Sequence, residues 1–106
     1  MGKTTDDFFK RAMEKDKSCK DVFEVTNEKG LHTRPCSEIV KCATSFKSQV
    51  VLHYQDITVN AKSILEMLML AAIPGAKIVV EAVGEDAEEA VKSIMALASN
   101  RFNVKY

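Results

Sequence analysis

A chain of 106 residues, 46% apolar and 28% charged, has the profile of one globular domain with a single modest core. Its 15 basic and 15 acidic residues cancel, which argues against a dedicated nucleic-acid binder, and its longest apolar run, from Met67 to Pro74, is far too short to span a bilayer. No secretory stretch opens the sequence, Asp6 stands where a myristoylation signal would want Ser or Thr, and the odd set Cys19, Cys36 and Cys42 lacks a Cys-x-x-Cys pair, so reduced thiols in a cytoplasmic protein are expected.

Residues 1–20 are polar and dense in charge and read as an extension, with the folded domain over residues 21–106. Within the extension, Phe8, Phe9, Ala12 and Met13 recur at the spacing of a short amphipathic helix. A strand is predicted over residues 22–26, rich in Val and Phe, followed by a turn over 27–30. Ile39, Val40, Ala43 and Phe46 then recur with a period near 3.6 and predict a helix over residues 33–45. Two strands, 50–54 and 57–60, flank Gln55-Asp56 as a tight hairpin. Ser63 and Glu66 have the spacing of a capping box at the head of a helix over 63–70, which Ile73-Pro74-Gly75 interrupts. A strong strand over 77–83 leads to the longest helix, 86–99. Asp86 and Glu89 suggest a second capping box there, and Ala90, Val91, Ile94, Leu97 and Ala98 line one face. The order β-α-β-β-α-β-α, with strands that bury one face, predicts an α+β fold with a four-stranded sheet and helices stacked on one side.

The stretch Gly30-Leu31-His32-Thr33-Arg34-Pro35 carries the chemistry. Gly30 permits a sharp turn and Pro35 suits a first helical turn, which places His32 at the helix start and Arg34 just inside it. Unpaired N–H groups and the positive end of the helix dipole make that start an anion site, and a guanidinium adds a planar fork suited to phosphate. A neutral imidazole there has a nitrogen able to attack phosphorus and form a covalent intermediate. Local physics leaves other readings open: His32 as an ordinary surface or capping residue, or His32 and Cys36, at i and i+4, as metal ligands. The metal reading is weak, because His53 is the one further His and no fourth ligand is evident. Cys36 reads as a small packing residue or as a thiol made reactive by the nearby helix start.

At this stretch the sequence resembles the HPr family, the histidine-containing phosphocarriers of the bacterial sugar phosphotransferase system. Gly30 to Pro35 match the family's active-site signature. Asn60-Ala61-Lys62-Ser63-Ile64 match its second signature, and Gly75-Ala76 and Gly84-Glu85-Asp86 fit as well. The resemblance implies an open-faced β-sandwich, a four-stranded antiparallel sheet with three helices on one face. It implies that His32 takes a phosphoryl group on Nδ1 from phosphorylated enzyme I and passes it to an enzyme IIA domain. The chain would then be a carrier rather than a stand-alone catalyst, with Arg34 supporting the phosphate and Ser63 matching a serine modified by HPr kinase in many bacteria. Ser63 is explained equally well as a helix cap. Neither cofactor nor metal is expected, and a monomer is.

Residues 64–70 are apolar nearly all round, more than a surface helix needs. Helical spacing assigns Met67 and Leu70 to the core and Ile64, Leu65 and Leu68 to an exposed patch beside His32, a docking surface for partners; the bland reading is a fully buried helix. The first twenty residues depart from the family pattern. So do Ala71-Ala72, which stand where many relatives have glycine and let the second helix run on toward Pro74, and Cys36, where alanine is usual. Two competing functions remain: a regulatory binding protein acting through Ser63 with His32 vestigial, and, more weakly, a small RNA-binding domain, which would want basic excess and aromatic strand positions.

Overall fold

Why the strands pair as they do is visible in the computed structural model, which describes residues 17–106. The helix expected around Phe8 to Met13 lies outside them. The four strands are β1 (Ser18–Glu24), β2 (Gln49–Tyr54), β3 (Ile57–Asn60) and β4 (Lys77–Val83), arranged β1-β4-β2-β3 with every pair antiparallel. Alternate side chains point to opposite faces of a strand. In β4 this buries Ile78, Val80 and Ala82, and the register matches Phe23 to Ile78, Val50 to Ala82, and Leu52 to both Val80 and Val59. One sheet face is therefore continuous apolar core. The other carries Val22, Thr58 and Glu81, with His53 bridging Thr58 Oγ1 and Glu81 Oε1, each at 2.8 Å.

Helices α1 (Thr33–Thr44), α2 (Ile64–Leu70) and α3 (Ala87–Ser99) complete the core. Helix α1 buries Cys36, Ile39 and Ala43; α3 buries Ala87, Ala90, Val91, Ile94 and Ala98. The fold is the expected α+β open-faced sandwich: a four-stranded antiparallel sheet with three helices on one face.

Four local expectations need correction. The first strand starts at Ser18, not at 22, so the sheet draws on residues assigned to the extension. Backbone hydrogen bonds to β4 hold this edge strand, with Lys20 opposite Glu81, and they need no apolar side chains. Asp86 does not cap α3. Its carboxylate accepts instead from the Lys47 and Ser48 N–H groups, each at 2.9 Å, and from the Ser48 hydroxyl, tying the α1–β2 loop to the start of α3. At α2 the box is half formed. Ser63 Oγ accepts from Glu66 N at 3.3 Å, but the Glu66 carboxylate turns to Asn60 N at 3.0 Å. Helix α2 also does not run on: it stops at Leu70, with Ala71 in the left-handed conformation at φ +47°.

The end of the chain follows no predicted element. After α3, Arg101, Phe102 and Asn103 are all left-handed, at φ +52°, +56° and +59°. This tight turn sends the chain back across the core, where Phe102 is fully buried edge-on to Phe23, with ring centroids 5.6 Å apart.

Candidate functional site

Gly30 sets the site's geometry. Its φ is +70°, and a Cβ added there would lie 2.2 Å from the Ala72 carbonyl oxygen. Only glycine permits both the turn and this approach of two backbones. Leu31 N donates to that same oxygen at 2.9 Å, which locks the 30–32 loop against the segment after α2.

His32 follows as the N-cap of α1, extended at φ −91°, ψ −167°. Its carbonyl accepts from Cys36 N at 3.1 Å and so starts the helix, but its side chain makes no cap bond and is available for other work. Pro35 has no N–H, so the first turn offers the N–H groups of Thr33 and Arg34 next to the imidazole. Nε2 of its ring is buried and, among the described residues, has no hydrogen-bond partner. Arg34 is exposed, and among the described residues no hydrogen bond or ion pair occupies its guanidinium. It lines an open groove of about 310 Å³ with Asn103, Val104, Lys105 and Tyr106.

A second groove, about 350 Å³, joins His32 and Lys29 to Leu68, Ala71, Ala72, Ile73 and Pro74. Met67 and Leu70 face the core, while Ile64, Leu65 and Leu68 are exposed, Leu65 the most at 75%. Met69 and Ile73 enlarge this apolar surface and went unassigned in the sequence. Their signal was present, since both belong to the same apolar run. Ser63 lies half-buried at the head of α2.

Cys36 is neither a reactive thiol nor a partner of His32 in a metal pair. It is fully buried, its Sγ directed to the carbonyls of Leu31 and Met67 at 3.6 Å, and burial pushes its thiol up to about 11. Two neighbours of His32 carry no signal in the sequence. The Tyr106 ring stacks on the imidazole, with centroids 5.5 Å apart and planes 20° apart, and the Lys29 ammonium sits 4.9 Å from the centre of the Tyr106 ring.

Residues 19–100 match the family described as "PTS HPr component phosphorylation site". The phosphocarrier protein HPr of Xylella fastidiosa is 40% identical over 79 residues, 74% of this chain and 89% of that protein. A solved HPr structure from Thermoanaerobacter tengcongensis superimposes with a TM-score of 0.78 at 33% identity, covering 83% of this chain and 99% of the other. An HPr dimer structure from the same organism gives 0.65 at 36% identity over 76% and 92% of the two chains. No helix among the described residues is long and apolar enough to cross a membrane.

Proposed function

The chain belongs to the HPr family of phosphocarriers of the bacterial phosphotransferase system, and from that premise we propose that His32 is the residue that carries the phosphoryl group. The donor is phosphorylated enzyme I and the acceptor an enzyme IIA domain. One observation supports this reading above the rest: His32 heads α1 with its side chain unused for capping, beside the unpaired N–H groups of the helix start.

The transfer balances simply. With the proton of the neutral ring on Nε2, the Nδ1 lone pair forms the new N–P bond. The donor's bond to phosphorus breaks and its electron pair stays with the donor. The proton stays on Nε2. The Thr33 and Arg34 N–H groups and the Arg34 guanidinium are donors for the oxygens of the phosphoryl group, whose charge is what catalysis of this transfer must stabilise. Transfer to the acceptor is the same step reversed.

Docking uses the surface formed by Ile64, Leu65 and Leu68, extended by Met69 and Ile73. Exposed apolar side chains in one patch, rimmed by a polar site, are the usual mark of a protein interface. Ser63, at the head of α2, is the regulatory position. A phosphate there adds roughly −1.5 to −2 charge at pH 7 beside that surface, where it opposes an acidic partner without unfolding the helix start. A kinase of the HPr kinase type is the corresponding partner. The carrier works as a monomer in the cytoplasm.

Incubation with enzyme I and labelled phosphoenolpyruvate tests the proposal. An acid-labile, base-stable adduct should form, and His32→Ala should abolish it. A wild-type chain left unlabelled beside a labelled control carrier would refute it.

A further inference from the structure

The turn at 101–103 places three successive non-glycine residues, one of them phenylalanine, in the left-handed region. Such backbone persists only where the surroundings overdetermine it. Here Asn27 does much of the holding. It is fully buried, and its side-chain amide donates to the Arg101 carbonyl at 3.0 Å and to the Tyr106 carbonyl at 2.9 Å. Arg101 adds a bond to the Thr26 carbonyl at 3.2 Å, and Val104 is buried between the two anchors. A buried asparagine and a strained turn thus fix the backbone of one residue, Tyr106, whose ring lies against His32. Tyr106 as a whole is 43% exposed, so the strap does not serve to bury it.

We propose that Tyr106 is a positioning residue for phosphoryl transfer: it stacks on the imidazole and sets the plane in which Nδ1 meets the incoming phosphorus. The inference rests on the reading of His32 as the carrier residue. Among the described residues no hydrogen bond orients the His32 ring: its side chain makes no cap bond and Nε2 has no hydrogen-bond partner. An offset aromatic stack supplies that restraint without occupying either nitrogen. Lys29, whose ammonium lies over the Tyr106 ring, steadies the ring and brings a positive charge to the groove that contains His32. A near-attack orientation lost in this way slows the chemical step, while the Leu65–Leu68 side chains that dock partners are unchanged.

The test uses the full chain as substrate for phosphorylated enzyme I, at varied carrier concentration. Tyr106→Ala should lower kcat by about two- to tenfold, the range set by one aromatic pair, with KM unchanged. Tyr106→Phe should restore it, since the hydroxyl plays no part. The ring-current displacement of the His32 imidazole proton resonances should be present in the wild type and in Tyr106→Phe and absent in Tyr106→Ala. Because Tyr106 is exposed, the alanine variant should unfold within a few degrees of the wild type. Wild-type kcat in Tyr106→Ala, or a loss confined to KM, would overturn the inference and leave the carrier reading intact. A wild-type chain that enzyme I does not label would remove both.

Discussion

Replacing Ala71 with glycine should stabilise the protein, against the usual direction for Ala-to-Gly changes. Ala71 ends α2 in the left-handed region at φ +47°, ψ +39°. For an L-residue with a Cβ this conformation costs about 1–2 kcal/mol, and glycine avoids it. Glycine's greater freedom in the unfolded chain returns about 0.5–1 kcal/mol of that gain. The net is a stabilisation of up to about 1.5 kcal/mol, centred near about 0.75 kcal/mol, or a Tm rise of about 3–6 °C at that centre for a domain of this size. The mirror experiment is Gly75→Ala. Gly75 sits at φ +87° with no atom within 4 Å of where a Cβ would go, so only the conformational cost applies and the sign reverses at about the same size. Gly30→Ala should do worse than either, at about 2–4 kcal/mol, because its Cβ would also meet the Ala72 carbonyl, which is backbone and cannot swing aside. Urea titrations of the three variants, with unchanged m-values, measure all of this. A destabilised Ala71→Gly, or a Gly30→Ala no worse than Gly75→Ala, would refute the reasoning.

Other outcomes follow from the same structure. The Ser48 hydroxyl and the Lys47 N–H hold the Asp86 carboxyl at about 2, below its ordinary 3.8, so the bond network stabilises the fold above pH 3.8 and fades as pH falls through 2. Asp86→Asn should therefore melt below the wild type at neutral pH, with the gap closing toward pH 2; a constant gap would contradict the assignment. Leu65→Glu and Leu68→Glu should each raise KM for phosphoryl transfer from enzyme I by roughly tenfold or more, with little change in Tm, since both side chains are exposed. Arg34→Lys should lower kcat more than KM, because an ammonium lacks the planar fork for phosphoryl oxygens; an unchanged kcat would place Arg34 outside the chemistry.

Much of this fold was legible because its signals are local. The 3.6-residue period of Ile39, Val40 and Ala43 marked α1, the strong strand pattern over residues 77–83 marked the central strand, and Gln55-Asp56 marked the hairpin where it occurs. His32 was legible as the head of α1 because Gly30 and Pro35 bracket it with opposite backbone demands. The misses share a cause, which is competition from distant groups. Asp86 has the spacing of a capping residue, yet donors 38 and 39 residues away in sequence take its carboxylate. Glu66 has the same spacing and is drawn off by Asn60 N. Ala71 ends a helix without the glycine that usually announces a left-handed residue, because the Leu31–Ala72 hydrogen bond fixes the chain just beyond it. Residues 101–106 contain no Gly or Pro, and of the three left-handed residues only Asn103 belongs to a turn-favouring type. Their path is dictated by Asn27, which sequence alone marks only as a turn residue, and by Phe102 seeking the core. For that reason Tyr106 beside His32 could not be foreseen.

The most direct measurement is the location of the phosphoryl group after reaction with enzyme I and phosphoenolpyruvate. Phosphorus and nitrogen NMR on the full chain should place it on Nδ1 of His32 alone, since Nε2 is buried. A group found on Nε2, on His53 or on no histidine would contradict the account.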